Sequence, residues 1–188
     1  MTTLKQQGLS SGPLKPGVIV IRATMLAISC MASFWLITHM LANIYSVSRA
    51  DNLLGGMWAV VSTIFVYRYS QAESFDVALS RMSATIMSFV LCSVYLRIFP
   101  FHVLGMAALI AIGAIAVGLI GRPDDTIATS ITTAVVLVVA STRGPDDAWR
   151  QPILRLVDTA IGVIVGVASA WVCQRVIQSM NRMREFQP

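Results

Sequence analysis

Five charged side chains crowd into Thr142 to Arg155, TRGPDDAWRQPILR, between two runs that are almost wholly apolar. An earlier stretch, Tyr67 to Arg81, repeats that layout. Guanidinium groups in apolar surroundings do one kind of chemistry well: their planar fork of donors holds a carboxylate bidentately. Arg81 and Arg155 are the leading candidates. Each is expected in the first turn of an apolar segment, where the helix dipole disfavours a cation by about 0.3–1 kcal/mol. An anion there would offset that cost, and the helix N-terminus would add donors of its own. Two kinds of anion are open. One is internal: Asp158 lies three residues beyond Arg155 on the same helix face, and Asp76 or Glu73 is in reach of Arg81. The other is a substrate carboxylate. An internal ion pair that only fixes loop geometry explains the arginines about as well as a substrate does.

Other residues support or dilute that reading. Asp158 is the deepest acid, a candidate either for proton coupling or, preferred here, for counter-ion to Arg155. Arg68 and Arg143 are candidate anion ligands too, but both follow the ends of short apolar segments. There a cation complements the dipole and snorkels toward headgroups, so a structural role is favoured. Trp58, Ser62, Thr132 and Thr133 are candidate substrate contacts. Hydroxyls in membrane helices also bond routinely across or within helices, and Trp58, Trp149 and Tyr45 lie near segment ends, where aromatic belts form. Gly162, Gly166 and Ala170 make a small-residue stripe that reads as a packing face. Cys30, Cys92 and Cys173 all lie in apolar runs, as small buried hydrophobes rather than a disulfide framework. His39 and His102 stand alone, so neither a metal site nor a cofactor is expected. No nucleophile–base–orienter set is present, and the chain does not read as an enzyme.

The elements that position these residues follow from composition. The 188 residues are 56% hydrophobic and only 12% charged, with mean hydropathy +0.72. A soluble domain is nearer one-quarter charged, so this chain reads as an all-α integral membrane protein whose first partner is the lipid bilayer. The net charge of +5 is scattered and has no basic, aromatic-interleaved face, which argues against nucleic acid. Six transmembrane helices are expected at about Val18–Tyr45, Leu53–Tyr67, Val77–Phe99, His102–Ile120, Ile127–Ser141 and Pro152–Val176. Residues 1–17 read as a disordered cytoplasmic tail, 18–176 as the membrane domain and 177–188 as a second cytoplasmic tail. Nine Lys and Arg against five place both termini on the cytoplasmic side.

A shift of 74 residues lays the second and third segments on the fifth and sixth without a gap, with Arg81 on Arg155 and Thr85 on Thr159. Each half then holds three helices, so the halves, about 18–99 and 102–176, would be inverted repeats. Transporters built this way bind substrate where the halves meet, and short segments at matching positions mark the site.

Specific residues carry a resemblance. Met57-Trp58-Ala59 opens the second segment, Arg81 with Ser83-Ala84-Thr85 opens the third, and Arg155, Asp158, Gly162 and Gly166 mark the sixth; Arg22 also fits. Over roughly Arg22 to Val176 the chain resembles the membrane half of the fusaric acid resistance and aromatic acid exporter family, more distantly the plant aluminium-activated malate channels. Two departures stand out: YRYSQAES replaces the usual turn after the second segment, and QSMNRMREFQP follows the sixth where many members carry a large cytoplasmic domain. The resemblance implies a protein of the bacterial inner membrane that exports small organic anions, aromatic carboxylates foremost, working as a homodimer or higher homo-oligomer. A passive anion channel and a non-transporting scaffold subunit remain the alternatives.

Overall fold

A computed structural model describes residues 16–41, 48–68, 70–142 and 148–185. Six α-helices occupy them, and no strand occurs among the described residues. They are α1 (Pro16–Trp35, continued by a π-helical turn Leu36–Leu41), α2 (Arg49–Val66), α3 (Gln71–Ile98), α4 (Val103–Leu119), α5 (Thr126–Ser141) and α6 (Gln151–Glu185).

Local signals set the ends. The Ser48 hydroxyl caps α2 by accepting from the Asp51 amide. Ser70 caps α3 by accepting from the Glu73 amide at 3.1 Å, the Ser-x-x-Glu spacing of a capping box. α4 stops where Gly121 takes a positive φ of 82°. There the Arg122 amide donates back to Val117 at 3.1 Å, the long bond of a Schellman closure. A 3-10 turn, Pro123–Asp125, then leads into α5.

Three boundaries differ from the hydropathy reading by about a turn or more. α2 begins at Arg49 rather than Leu53, because the Ser48 cap starts the helix inside a polar stretch. α3 begins at Gln71 rather than near Val77, because the capping box starts the helix inside a polar stretch. α6 runs on to Glu185, past the expected stop near Val176, through residues of good helix propensity. Arg81 therefore sits about three turns into its helix and Arg155 just beyond the first turn of its own. The dipole fades within one turn, so it does not explain Arg81.

Four segments are long and apolar enough to cross a bilayer: Pro16–Met40, Gln71–Ile98, Pro123–Ser141 and Gln151–Met180. α4 is apolar but has only 17 residues, about 26 Å at 1.5 Å per residue. α2 opens with Arg49, Asp51 and Asn52, which lower its hydropathy.

Packing is inside-out relative to a soluble bundle. The buried faces hold Ser62, Thr63, Ser88, Thr129, Thr133 and Thr159, while Ile64, Phe65, Leu79, Ile86 and Val90 point outward. Lipid is as apolar as leucine, so helices meet through small and hydroxyl side chains. α2 and α6 run parallel and close. A Cβ at Gly162 would strike the Ala59 carbonyl, and one at Gly166 would lie 3.1 Å from the Thr63 carbonyl oxygen. The Thr63 hydroxyl donates to the Gly162 carbonyl at 3.0 Å. α3 and α5 also run parallel, but through hydroxyls. Ser88 donates to the Thr129 carbonyl at 3.0 Å, Thr133 donates to Ser88 at 3.0 Å, and Cys92 packs with Leu137. α1 lies antiparallel on α2, with Phe34 and Thr38 against Gly56.

Candidate anion-binding site

The α2–α6 and α3–α5 pairs enclose a layer of polar side chains. Arg81 projects from α3 and is only 4% exposed. Its guanidinium lies 5.3 Å from the Trp58 ring centroid and 5.1 Å from that of Phe65. Both rings come from α2, seven residues apart and so on one helix face. Its Nε and Nη2 have no hydrogen-bond partner among the described residues. Glu73 and Asp76, considered as its counter-ions, are exposed, and no ion pair joins either to Arg81 among the described residues.

Arg155, on α6, is 1% exposed. Its Nη1 stands 3.1 Å from Asp158 Oδ2, an ion pair whose angles fall short of an aligned hydrogen bond. Its Nε and Nη2 are also without a bond among the described residues. Asp158 leans toward α2, where a Cβ at Gly55 would lie 2.8 Å from its Oδ1.

Trp58 links the two regions. Its ring faces Arg81, and its Nε1 donates to Thr159 Oγ1 at 2.9 Å, one turn beyond Arg155. At 5% exposure it is a bundle residue, not the interfacial anchor that its place near a segment end suggested. Ser62 is fully buried and its hydroxyl has no partner among the described residues. Thr132 donates to its own helix at Ala128, 2.8 Å away, and Thr133 is engaged with Ser88. Gly162, Gly166 and Ala170 are buried, the two glycines against α2. Arg68 is exposed just past the end of α2, apart from this layer. Arg143 lies outside the described residues.

Two acids escaped the sequence reading. Asp51 is 4% exposed and accepts from the Ser48 hydroxyl at 2.9 Å and from Gln151 Nε2 at 3.3 Å. Asp125, also 4% exposed, accepts from the Ser80 hydroxyl, from the Ser83 hydroxyl at 3.1 Å, and pairs with Arg122 Nε at 3.0 Å. Asp51 ties the start of α2 to the start of α6, and Asp125 ties the start of α5 to the third and fourth turns of α3. The 74-residue shift that aligned the arginines also lays Asp51 on Asp125, a signal that could have found both.

This geometry sits inside a recognisable family. The family model described as "Fusaric acid resistance protein-like" matches residues 37–169. The chain belongs to that family. As a fusaric acid resistance protein-like chain with several membrane-length helices, it is a multi-pass membrane protein of a transport family. The matched region opens in the π-helical turn after α1 and ends within α6, so both arginines, Trp58 and Asp158 lie inside it. No curated protein and no solved structure gave a match to the chain.

Proposed function

We propose that this protein moves organic anions, aromatic carboxylates foremost, across the membrane, with the carboxylate held at Arg81, one of the paired arginines. The observation that carries this is the state of Arg81: buried, facing two aromatic rings, with open donors and no paired acid among the described residues. A buried charge left unpaired costs several kcal/mol, on the order of 3–5. The cation–π contacts with buried Trp58 and half-exposed Phe65 offset only part of that, and they leave Nε and Nη2 without an acceptor among the described residues. An anion is the partner that completes the balance, and a guanidinium fork favours a carboxylate. The Trp58 ring supplies a buried flat face for an aromatic acid, and the Phe65 ring a half-exposed one.

Two inverted three-helix repeats are the architecture proposed for this transport. The α2–α6 and α3–α5 pairs support it, since each is parallel and each exchanges for the other under the 74-residue shift. Parallel pairing of the second helix with the sixth, and of the third with the fifth, suits a chain that reverses direction at every connection. Both arginines are closed off, and a cavity of about 530 Å³ at the end of α3, beside Arg97, Phe99, Phe101 and Ala148, is lined by neither. Entry then requires the halves to part, which favours alternating access over an open pore.

The test is benzoate flux into proteoliposomes, wild type against Arg81→Ala. The expected result is wild-type flux driven by an anion or proton gradient and at least tenfold loss in the variant. Flux unchanged in folded Arg81→Ala protein would sink the arginine site, and no flux of any organic anion in wild type would put a scaffold role in front.

A further inference from the structure

The two parallel helix pairs share not only direction but register. Ser88 with Thr133 is the 74-residue image of Gly162 with Ala59, and Cys92 with Leu137 is the image of Gly166 with Thr63. In the same frame Arg81 is the image of Arg155, Ala84 of Asp158, and Thr129 of Gly55. The half that holds Arg155 therefore carries its own carboxylate three residues on, and a glycine opposite that makes room for it. The half that holds Arg81 has a methyl group at Ala84, 1% exposed, and a hydroxyl opposite at Thr129, also 1% exposed. Thr129 Oγ1 has no partner among the described residues, and neither do Nε and Nη2 of Arg81. Donors are present on that side. The acceptor they match is missing among the described residues.

We propose that the substrate carboxylate takes the place at Arg81 that Asp158 takes at Arg155, so each chain binds one anion, and that the residue at position 84 or 158 decides which arginine is receptive. This rests on the reading of Arg81 as the anion site. A tethered carboxylate three residues away competes with free anion at high effective concentration, so Asp158 closes the second arginine to substrate. Ala84 leaves the first one open. Thr129 holds a buried hydroxyl without a partner among the described residues at the position where its image Gly55 supplies only space.

The experiment is calorimetric titration of purified protein with benzoate, with a thermal melt to confirm that each variant is folded. Wild type should bind one anion per chain; two per chain would overturn the proposal. Arg81→Ala should lose binding, and undiminished affinity there would instead sink the underlying site assignment. Ala84→Asp should weaken binding at least tenfold by placing an internal acid beside Arg81, and wild-type affinity would count against the proposal. That variant adds bulk at a buried position, so the deciding variant is a gain of function. Asp158→Ala introduced into Arg81→Ala protein should restore binding, now at Arg155, and Arg155→Ala should abolish it again. Folded double variant that stays unable to bind would overturn the exchange of roles.

Discussion

Arg81 and Arg155 occupy like positions on helices that pack alike, yet their surroundings differ. Arg155 has an acid of its own chain 3.1 Å away. Arg81 has two aromatic rings and open donors. Charge compensation is internal on one side and, in the proposed reading, external on the other. Inverted repeats need not be functionally equal. In the proposed reading, a carboxylate present at 158 and absent at 84 makes one half a fixed ion pair and the other a binding site.

That contrast predicts opposite outcomes for removing the two arginines from ligand-free protein. Arg155→Ala strands the Asp158 carboxylate among buried groups, a change that costs about 3–5 kcal/mol when the partner charge is lost. Arg81→Ala strands no acid and removes a poorly satisfied cation, so stability should hold or rise. Chemical denaturation in detergent should show the first variant markedly weaker. Adding Asp158→Ala to Arg155→Ala should recover most of the loss. Equal destabilisation by both single variants would mean that Arg81 has a counter-ion in the resting protein, and the comparison would fail.

A smaller effect distinguishes how the two helix pairs are held. α2 meets α6 through glycine, with the Gly162 position pressed against the Ala59 carbonyl and 2.7 Å, for an added Cβ, from the Ser62 Cβ. Its image on α3 is Ser88, which bonds to Thr129 and Thr133 instead. Gly162→Ala should overpack its interface and cost about 1–3 kcal/mol. Ser88→Ala removes bonds but no space and should cost nearer 1 kcal/mol. The same denaturation assay reads both, and a harmless Gly162→Ala would show that the α2–α6 pair has room to give.

Much of this was legible in the sequence, for reasons that also explain the gaps. Hydropathy located six helical segments, because long apolar runs in a chain with few charges have little alternative to helix. The arginines, Asp158 and the glycine stripe stood out because charges and glycines are rare in such runs. Helix starts were less legible. Gln71 to Asp76 is polar and resembles a loop, and only the Ser70–Glu73 spacing reveals the cap that begins α3 there. Partner choice was the least legible. Trp58 lies near one end of an apolar run, and nothing local says that its ring turns inward to Arg81 or that its N–H reaches Thr159, 101 residues away. Asp51 and Asp125 lie at segment ends, where acids are common, and only their coincidence under the 74-residue shift marks them as a pair.

Trp58 gives the finest test, because it touches both sides of the comparison at once. Its ring faces Arg81 and its Nε1 donates to Thr159 on the helix of Arg155. Trp58→Phe keeps an aromatic face under the guanidinium but deletes the donor. The lost bond is worth about 0.5–1.5 kcal/mol, and the weaker quadrupole of phenylalanine takes a little more from the cation–π contact. Stability should therefore fall slightly, while benzoate affinity falls by less than about tenfold because the arginine and its ring remain. Trp58→Leu removes the π face as well and should weaken binding further than it weakens the fold. If Trp58→Phe costs affinity as heavily as Arg81→Ala, the indole N–H acts on the anion itself rather than on Thr159. The site would then reach from Arg81 across to α6, and the two halves would share one substrate instead of dividing the roles between them.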